Sequence, residues 1–369
     1  MRIELKQVLF PQQKSKIKAG EGKTEGKYRF FTSSPIQSKF VDEANYDKPS
    51  LIFGTGGNAS VHYCDEPFST STDCLVMYGR SKTELETIYN YLKSNIGILE
   101  NGFKGAGLKH ISKDYILAIE IDLPSEAIQL EFLQKNRIVD ELIEAKQTQL
   151  RLNEDLVKSR FIEMFGDPNN NPMRWSKVKL AECLTNIENG KSFICDSEAR
   201  TGANPAVLKL SAATYGYYQP HENKAMLDDT LFVENAEVHK GDLLFTRKNT
   251  PELVGMCAYV YETPAKLMMP DLIFRLNTKS NCNKIFLWKI INLDLFRSNV
   301  TALSSGSAKS MSNISKERLM GLEIILPPIE LQNQFAAFVE QTDKSKFEIQ
   351  QSLEKLEILK KSLMQQYFG

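Results

Sequence analysis

Hydrophobic and polar positions follow two different rules along this chain. From Met1 to about Leu123, and again from Asp167 to about Leu326, apolar residues come in short runs broken by glycine, proline and polar clusters. Leu51-Ile52-Phe53, Leu75-Val76-Met77-Tyr78, Leu243-Leu244-Phe245 and Ala258-Tyr259-Val260-Tyr261 are such runs. Short apolar runs bounded by turn residues predict strands. The pattern then changes. Ser125 to Phe165 contains neither Pro nor Gly, with Pro124 before it and Gly166 after it. Those are start and stop signals, so one long helix is predicted there. Pro328 to Phe368 predicts a second of matching length. At 1.5 Å per residue each would run roughly 60 Å, which suggests a coiled coil or spacer.

The apolar positions of these helices fall at heptad spacing. On the second they are Phe335, Val339, Ile349, Leu353, Leu356, Leu363 and Tyr367, interrupted by Thr342, Lys346 and Lys360. The first carries two seams: Ile138, Leu142, Ala145, Leu152 and Leu156, and beside it Val139, Ile143, Leu150, Val157 and Met164. Such spacing makes two helices bury a common stripe. Ile138, Leu142, Leu152 and Leu156, with Ile349, Leu353, Leu356 and Leu363, are the candidate coiled-coil and partner-binding positions. Two seams on one helix exceed what one partner helix requires, which predicts a further packing partner such as another protein.

The chain also repeats itself. Ile111-Ser112-Lys113 recurs as Ile314-Ser315-Lys316, a shift of 203 residues. The same gapless shift pairs Glu120-Ile121 with Glu323-Ile324, Leu123-Pro124 with Leu326-Pro327, Gln129 with Gln332, Phe132 with Phe335, Asp140 with Asp343 and Phe165-Gly166 with Phe368-Gly369. The blocks before the helices match more weakly, Lys48 to Phe53 with Lys240 to Phe245, and Leu5 and Leu9 with Leu180 and Leu184. The unit is one globular domain plus one long helix, used twice. It divides the chain into residues 1–123, 124–166, 167–326 and 327–369. Heads that diverge on a retained scaffold suggest two readers on a common frame.

Composition narrows the class. The 369 residues are 42% hydrophobic and 25% charged, as in a soluble globular protein of two to three domains. No apolar run reaches the roughly 18–20 residues of a membrane span, and the N-terminus is not a secretory signal. Six cysteines without metal-like spacing predict buried free thiols and a cytoplasmic location. A net charge of zero excludes coating of nucleic acid by bulk charge but leaves room for local basic patches.

No catalytic constellation is complete. Gly22-Lys23-Thr24 lacks the glycine a phosphate-binding loop needs six residues before its lysine. Gly54-Thr55-Gly56-Gly57 does not open a helix and predicts a strand-to-strand turn instead. Asn171-Pro172-Met173-Arg174 is one proline and one aromatic short of the loop of amino-methylating enzymes. The four histidines show no metal spacing. Recognition is what remains. Arg247-Lys248-Asn249 follows a predicted strand directly, and Arg, Lys and Asn are residue types that read base edges or phosphates. Gly56-Gly57-Asn58 stands at the equivalent place in the first block, where glycines admit close approach of phosphates. Lys104 and Lys109, and Lys309 in the second block, sit in small-residue loops before the repeated Ile-Ser-Lys. Lys14 and Lys16 lead a basic stretch. Tyr215-Gly216-Tyr217-Tyr218 can stack on bases or sugars, or serve in ordinary packing.

This arrangement resembles the DNA-specificity (S) subunit of type I restriction-modification systems. The resemblance rests on the entry into each long helix (Glu120 to Gln129 and Glu323 to Gln332), on Gly241 to Arg247, and on Phe165-Gly166-Asp167-Pro168. It implies an α+β fold in which two target-recognition domains are separated by two long helices. These pair as an antiparallel coiled coil with a pseudo-two-fold internal repeat. It also implies a non-catalytic subunit that reads a split, asymmetric site on double-stranded DNA. Such a subunit recruits two DNA adenine methyltransferase (M) subunits and, through them, restriction/translocase (R) subunits. S-adenosylmethionine, ATP and magnesium would belong to those partners, with no cofactor, metal or membrane contact in this chain. Two departures stand out: the first domain is shorter than the second, and the Pro-Pro of the second copy is Pro124-Ser125 in the first. Two other classes compete, a stand-alone DNA methyltransferase and a protein-binding coiled-coil scaffold without DNA contact.

Overall fold

The computed structural model describes residues 2–105, 107, 109–304 and 311–369. The chain forms two compact units, Met1–Gln149 with Ile349–Gly369, and Leu150–Glu348. The division falls inside both long helices. The reason is packing: each half-helix buries its apolar side against the globular part of its own unit.

In the first unit the elements are β1 (Arg2–Glu4), β2 (Leu9–Pro11), β3 (Tyr28–Phe31), β4 (Lys39–Val41), β5 (Ser50–Gly54), β6 (Val61–Cys64), β7 (Phe68–Thr70), β8 (Cys74–Gly79), α1 (Lys82–Ser94), α2 (Gly97–Glu100), α3 (Lys113–Leu117), β9 (Glu120–Asp122) and the first half of α4 (Glu126–Phe165). A four-stranded antiparallel sheet has the order β2-β8-β5-β6, a three-stranded sheet the order β4-β3-β7, and β1 pairs with β9. The helix α1 is capped by the Ser81 hydroxyl, which accepts from Glu84 N–H at 3.2 Å. Its Leu85, Ile88 and Leu92, spaced three and four apart, pack into the core with Leu51, Phe53 and Met77.

The second unit holds the other half of α4, then β10 (Ser176–Lys179), α5 (Leu180–Cys183), β11 (Leu184–Asn189), β12 (Ala206–Leu208), α6 (Ser211–Thr214), β13 (Asn223–Ala225), β14 (Leu243–Thr246), β15 (Lys248–Asn249), β16 (Cys257–Tyr259), β17 (Leu267–Met268), β18 (Ile273–Thr278), α7 (Lys284–Asn292), α8 (Arg297–Thr301), β19 (Ser312–Asn313), α9 (Lys316–Met320), β20 (Glu323–Leu326) and the first half of α10 (Ile329–Phe368). Its four-stranded sheet has the order β11-β18-β14-β16, its three-stranded sheet the order β13-β12-β17, and β10 pairs with β20. This repeats the topology of the first unit, with a short β15–β19 pair standing where the first unit has the single Gly56–His110 bridge. Even the mixed pairing recurs, since β3 is parallel to β7 and antiparallel to β4, as β12 is to β17 and β13.

The repeated residues have repeated tasks. Ser112 and Ser315 are the N-caps of α3 and α9, accepting from Tyr115 N–H at 3.1 Å and Arg318 N–H at 3.3 Å. Leu5 and Leu180 are fully buried and donate their backbone N–H to Ile119 and Leu322. Gln129 and Gln332 each donate an amide to the proline carbonyl just before the long helix, Pro124 at 2.8 Å and Pro327 at 2.7 Å. The copies then diverge. Gln332 Oε1 also accepts Asn283 N–H at 2.9 Å, whereas the buried Gln129 Oε1 has no partner among the described residues.

Each unit contains an antiparallel pair of half-helices. In the first, Phe132 packs with Tyr367 and Phe368, and Lys360 pairs with Asp140. In the second, Phe335 meets Phe161 and Phe165 edge-on at 5.5 and 5.4 Å, and Lys346 pairs with Glu154 at 3.0 Å. Lys346 and Lys360, which interrupt the heptad pattern, are thus cross-helix partners. Thr342 is accommodated by donating its hydroxyl to the Phe338 carbonyl at 2.9 Å. The six cysteines are free thiols, five buried and Cys195 half-buried. Among the described residues no helix is long and apolar enough to cross a membrane.

Candidate nucleic-acid interface

In the first unit the predicted contact residues gather where β5 ends. Thr55 donates its backbone N–H and its hydroxyl to the Asp73 carbonyl, both at 2.9 Å, and the Ser33 hydroxyl donates to the same oxygen at 2.6 Å. Gly56 N–H reaches Ser33 Oγ at 3.4 Å. His110 lies against Gly56 and donates Nδ1–H to the Thr55 carbonyl at 3.1 Å, while its backbone exchanges two 3.0 Å bonds with Lys104. The turn Gly56-Gly57-Asn58 therefore meets the loop that carries Lys104 and Lys109. Glycine is favoured twice here. A Cβ at Gly56 would stand 3.3 Å from the His110 ring, and Gly57 has φ +80°.

Lys14 and Lys16 approach the same end of the sheet. They flank the buried Ser15, whose hydroxyl accepts Ile17 N–H at 3.1 Å. The segment is pinned by Tyr46 OH on the Gln13 carbonyl and by Thr72 N–H on the Ile17 carbonyl, one residue from Asp73. Lys14, Lys16, Gly57, Asn58, Lys104 and Lys109 are exposed, and none of the four lysines forms an ion pair among the described residues. The 32–38 loop completes the group. His62 Nε2–H donates to the Ser34 carbonyl at 2.9 Å, and burial holds this imidazole below its ordinary pKa.

The second unit places Arg247, Lys248 and Asn249 at the matching end of β14. The Ile314 N–H donates to the Arg247 carbonyl at 2.8 Å, as Ile111 N–H does to that of Thr55 at 3.2 Å. The Arg247 guanidinium lies 4.9 Å over the Phe274 ring and donates through Nε and Nη2 to Asn313 Oδ1. Lys248 is half-buried and has no ion pair among the described residues. Asn249 faces the other way. It is 7% exposed, donates its amide to Thr214 Oγ1 at 3.1 Å and accepts Thr250 N–H at 2.8 Å. The expectation that Asn249 reads a base does not fit this placement: both ends of its amide are used inside the domain, where it braces two loops together. Lys309 lies outside the described residues.

Sequence reasoning missed His110 and Asn313. Both immediately precede the repeated Ile-Ser-Lys, and both clamp the residue that follows the central strand. Two polar residues at one repeat position were the available signal. Phe274, the ring under Arg247, gave none, because its place opposite Phe245 comes only from strand register.

The long helices carry a second surface. On α10, Ile349, Leu353 and Leu363 are buried and Leu356 is half-buried. On α4 the inward seam is carried by Val139 and Val157. Ile138 and Leu142 in the first unit, and Leu152 and Leu156 in the second, are the opposite case, exposed apolar side chains of which Leu152 is 61% accessible. Heptad spacing alone could not say which seam faced inward.

Comparison with known proteins places these features in context. The family model described as the type I restriction modification DNA specificity domain matches residues 2–152 and 172–360. The specificity subunit of the type I restriction enzyme EcoEI of Escherichia coli is 31% identical over 171 residues, 46% of this chain and 29% of that relative's length. The crystal structure of a type I restriction-modification S subunit from M. genitalium aligns with a TM-score of 0.66 at 15% identity, covering 100% of this chain and 96% of the other. A structure from work on complex assembly and conformational transition of the type I system gives 0.53 at 15% identity, covering 100% and 97%. At that identity the structural likeness concerns the fold.

Proposed function

This chain belongs to the type I restriction modification DNA specificity family, and from that membership we propose that it is the non-catalytic subunit that reads a split, asymmetric site on double-stranded DNA. Each unit takes one half-site. The observation that carries this is the duplicated topology: both central strands, β5 and β14, deliver polar and cationic loop residues to the same topological place. Lysines there that form no ion pair among the described residues (Lys14, Lys16, Lys104, Lys109 and Lys248) supply phosphate contacts, which position without specifying. Gly56 and Gly57 admit close approach of the backbone. Arg247, held on Phe274, is the residue best placed for bidentate contact with a guanine edge, a contact giving about 1–3 kcal/mol of discrimination.

The exposed apolar faces of α4 are proposed docking surfaces for the methyltransferase subunits, two in number, through which the restriction/translocase subunits join. S-adenosylmethionine, ATP and magnesium then act in those partners, in the cytoplasm where the DNA is. Adenine-methylation mapping of the host genome with and without this chain tests the proposal. The expected result is a split motif that disappears on deletion. An unchanged methylome, or methylation by the purified chain alone with S-adenosylmethionine, would overturn it.

A further inference from the structure

The loop between β12 and β13 holds two tyrosines in an arrangement that fold stability does not explain. Tyr215 and Tyr217 are each 56% exposed. Neither has a ring partner or a hydrogen-bonded hydroxyl among the described residues. Yet the loop is fixed on both sides of them. Thr214 Oγ1 accepts the Asn249 amide at 3.1 Å, Trp288 Nε1–H donates to the Gly216 carbonyl at 2.8 Å, and the Tyr218 hydroxyl is bonded to Thr263 Oγ1 at 2.8 Å. Gly216 itself has φ +85°, a conformation that favours glycine. A loop that happened to expose two aromatic rings would not need three separate clamps. One of those clamps, Asn249, belongs to the segment Arg247–Asn249, so the tyrosine turn and the recognition segment are held as one body.

The first unit answers differently. Its corresponding β3–β4 loop is also tied to the recognition turn, through Ser33 and Gly56, but it presents Ile36, 72% exposed, and no aromatic residue. We propose that Tyr215 and Tyr217 form an aromatic contact with the bases or deoxyriboses of the half-site taken by the second unit, a contact the first unit lacks. The chemistry is that of apolar rings packing on a sugar or wedging between base steps of the duplex, which needs no particular base. It is largely indifferent to salt, unlike the lysine contacts beside it. The inference rests on the DNA-reading function proposed above and adds a specific asymmetry to it.

The experiment compares the parent chain, the Tyr215→Ala/Tyr217→Ala double variant, the corresponding double Phe variant and Lys248→Ala. Each is assembled with the host methyltransferase subunits and titrated with a labelled duplex carrying the host's split methylation motif over a range of salt. Both tyrosines are exposed, so unchanged thermal melting confirms folding. The expected result for the Ala pair is an affinity loss on the order of tenfold at every salt concentration, with the salt slope of the parent. The Phe pair retains parental affinity, and Lys248→Ala gives a shallower slope. Parental affinity in the Ala pair alongside a weakened Lys248→Ala would overturn the aromatic contact while leaving DNA reading intact. A parent complex that fails to prefer the motif would instead overturn the DNA-reading proposal itself.

Discussion

Asn313 Oδ1 accepts from two nitrogens of Arg247, Nε at 3.3 Å and Nη2 at 3.1 Å, and so fixes the plane of a guanidinium lying on the Phe274 ring. A planar, pre-oriented guanidinium is what bidentate recognition needs. Asn313→Ala removes the fixing partner without emptying the core, at a stability cost of about 1 kcal/mol. The expected outcome is several-fold weaker discrimination at the second half-site and none lost at the first. In a double-mutant cycle Arg247→Ala and Asn313→Ala are expected to be non-additive, because the two residues share one contact. Site selection with the assembled complex measures both.

Phe132 and Phe335 occupy one repeat position, and both are completely buried. Replacing either with alanine opens a cavity among aromatic rings, which costs about 3–5 kcal/mol. Phe132→Ala is expected to destabilise the first unit and Phe335→Ala the second, each seen as an early transition in urea followed by unit-specific proteolysis.

Lys289 supplies a pH dependence. Its ammonium lies 3.4 Å over the Trp288 ring and 3.8 Å from Asp343, whose carboxylate also accepts the Tyr261 hydroxyl. Burial, helped by Lys346 and opposed by Asp343 and Glu154, lowers its pKa from 10.5 to about 8. Below that value the folded and unfolded chains both hold the proton, and the penalty of the buried charge is fully present. Between about 8 and 10.5 the unfolded chain alone holds it, so this group's contribution to stability rises with pH. Lys289→Met removes the dependence. The parent is expected to gain urea resistance relative to the variant as the pH is raised through 8, and a constant difference would contradict the assignment.

The outward face of α4 makes a prediction of a different kind. Ile138→Gln/Leu142→Gln and Leu152→Gln/Leu156→Gln alter exposed side chains, so thermal stability is expected to move by no more than about 0.5 kcal/mol per position. Loss of co-purifying methyltransferase is the expected effect. Retention of the partner in both variants would refute docking on this face.

Helix length gives the last test. One heptad added at matching points of α4 and α10 lengthens each by about 10 Å, equivalent to about three base pairs along B-DNA. The methylated motif is expected to widen its gap by that amount while both half-sites stay the same.

Much of this was legible in the chain because it depends on local chemistry. Pro124 and Gly166 bracket α4 and act within a few residues, and the repeat marked Ser112 with Ser315 and Gln129 with Gln332 as paired positions, although their capping and bracing roles emerge only from the structure. The buried α7 was not evident, because Ile285, Phe286, Leu287, Trp288, Ile290 and Ile291 are apolar on every face and lack helical periodicity. The inward turn of Asn249 was hidden for another reason. In a two-residue strand the side of the sheet a residue takes depends on register with Ser312–Asn313, which lies far away in sequence. Charge was similarly mute: Lys346 and Lys360 read as faults in a heptad until Glu154 and Asp140 appear opposite them.

The paired caps and braces also bear on how such a chain can evolve. Leu5 with Ser112, and Leu180 with Ser315, frame two inserts with the same joinery, so selection can rewrite what lies between them while the joints stay untouched. Gln129 Oε1 has no partner among the described residues whereas Gln332 is bonded at both ends of its amide, so the two copies differ at the entry to the long helix. If each unit takes one half-site as proposed, exchange of one whole insert is the shortest route to a new pairing of half-sites.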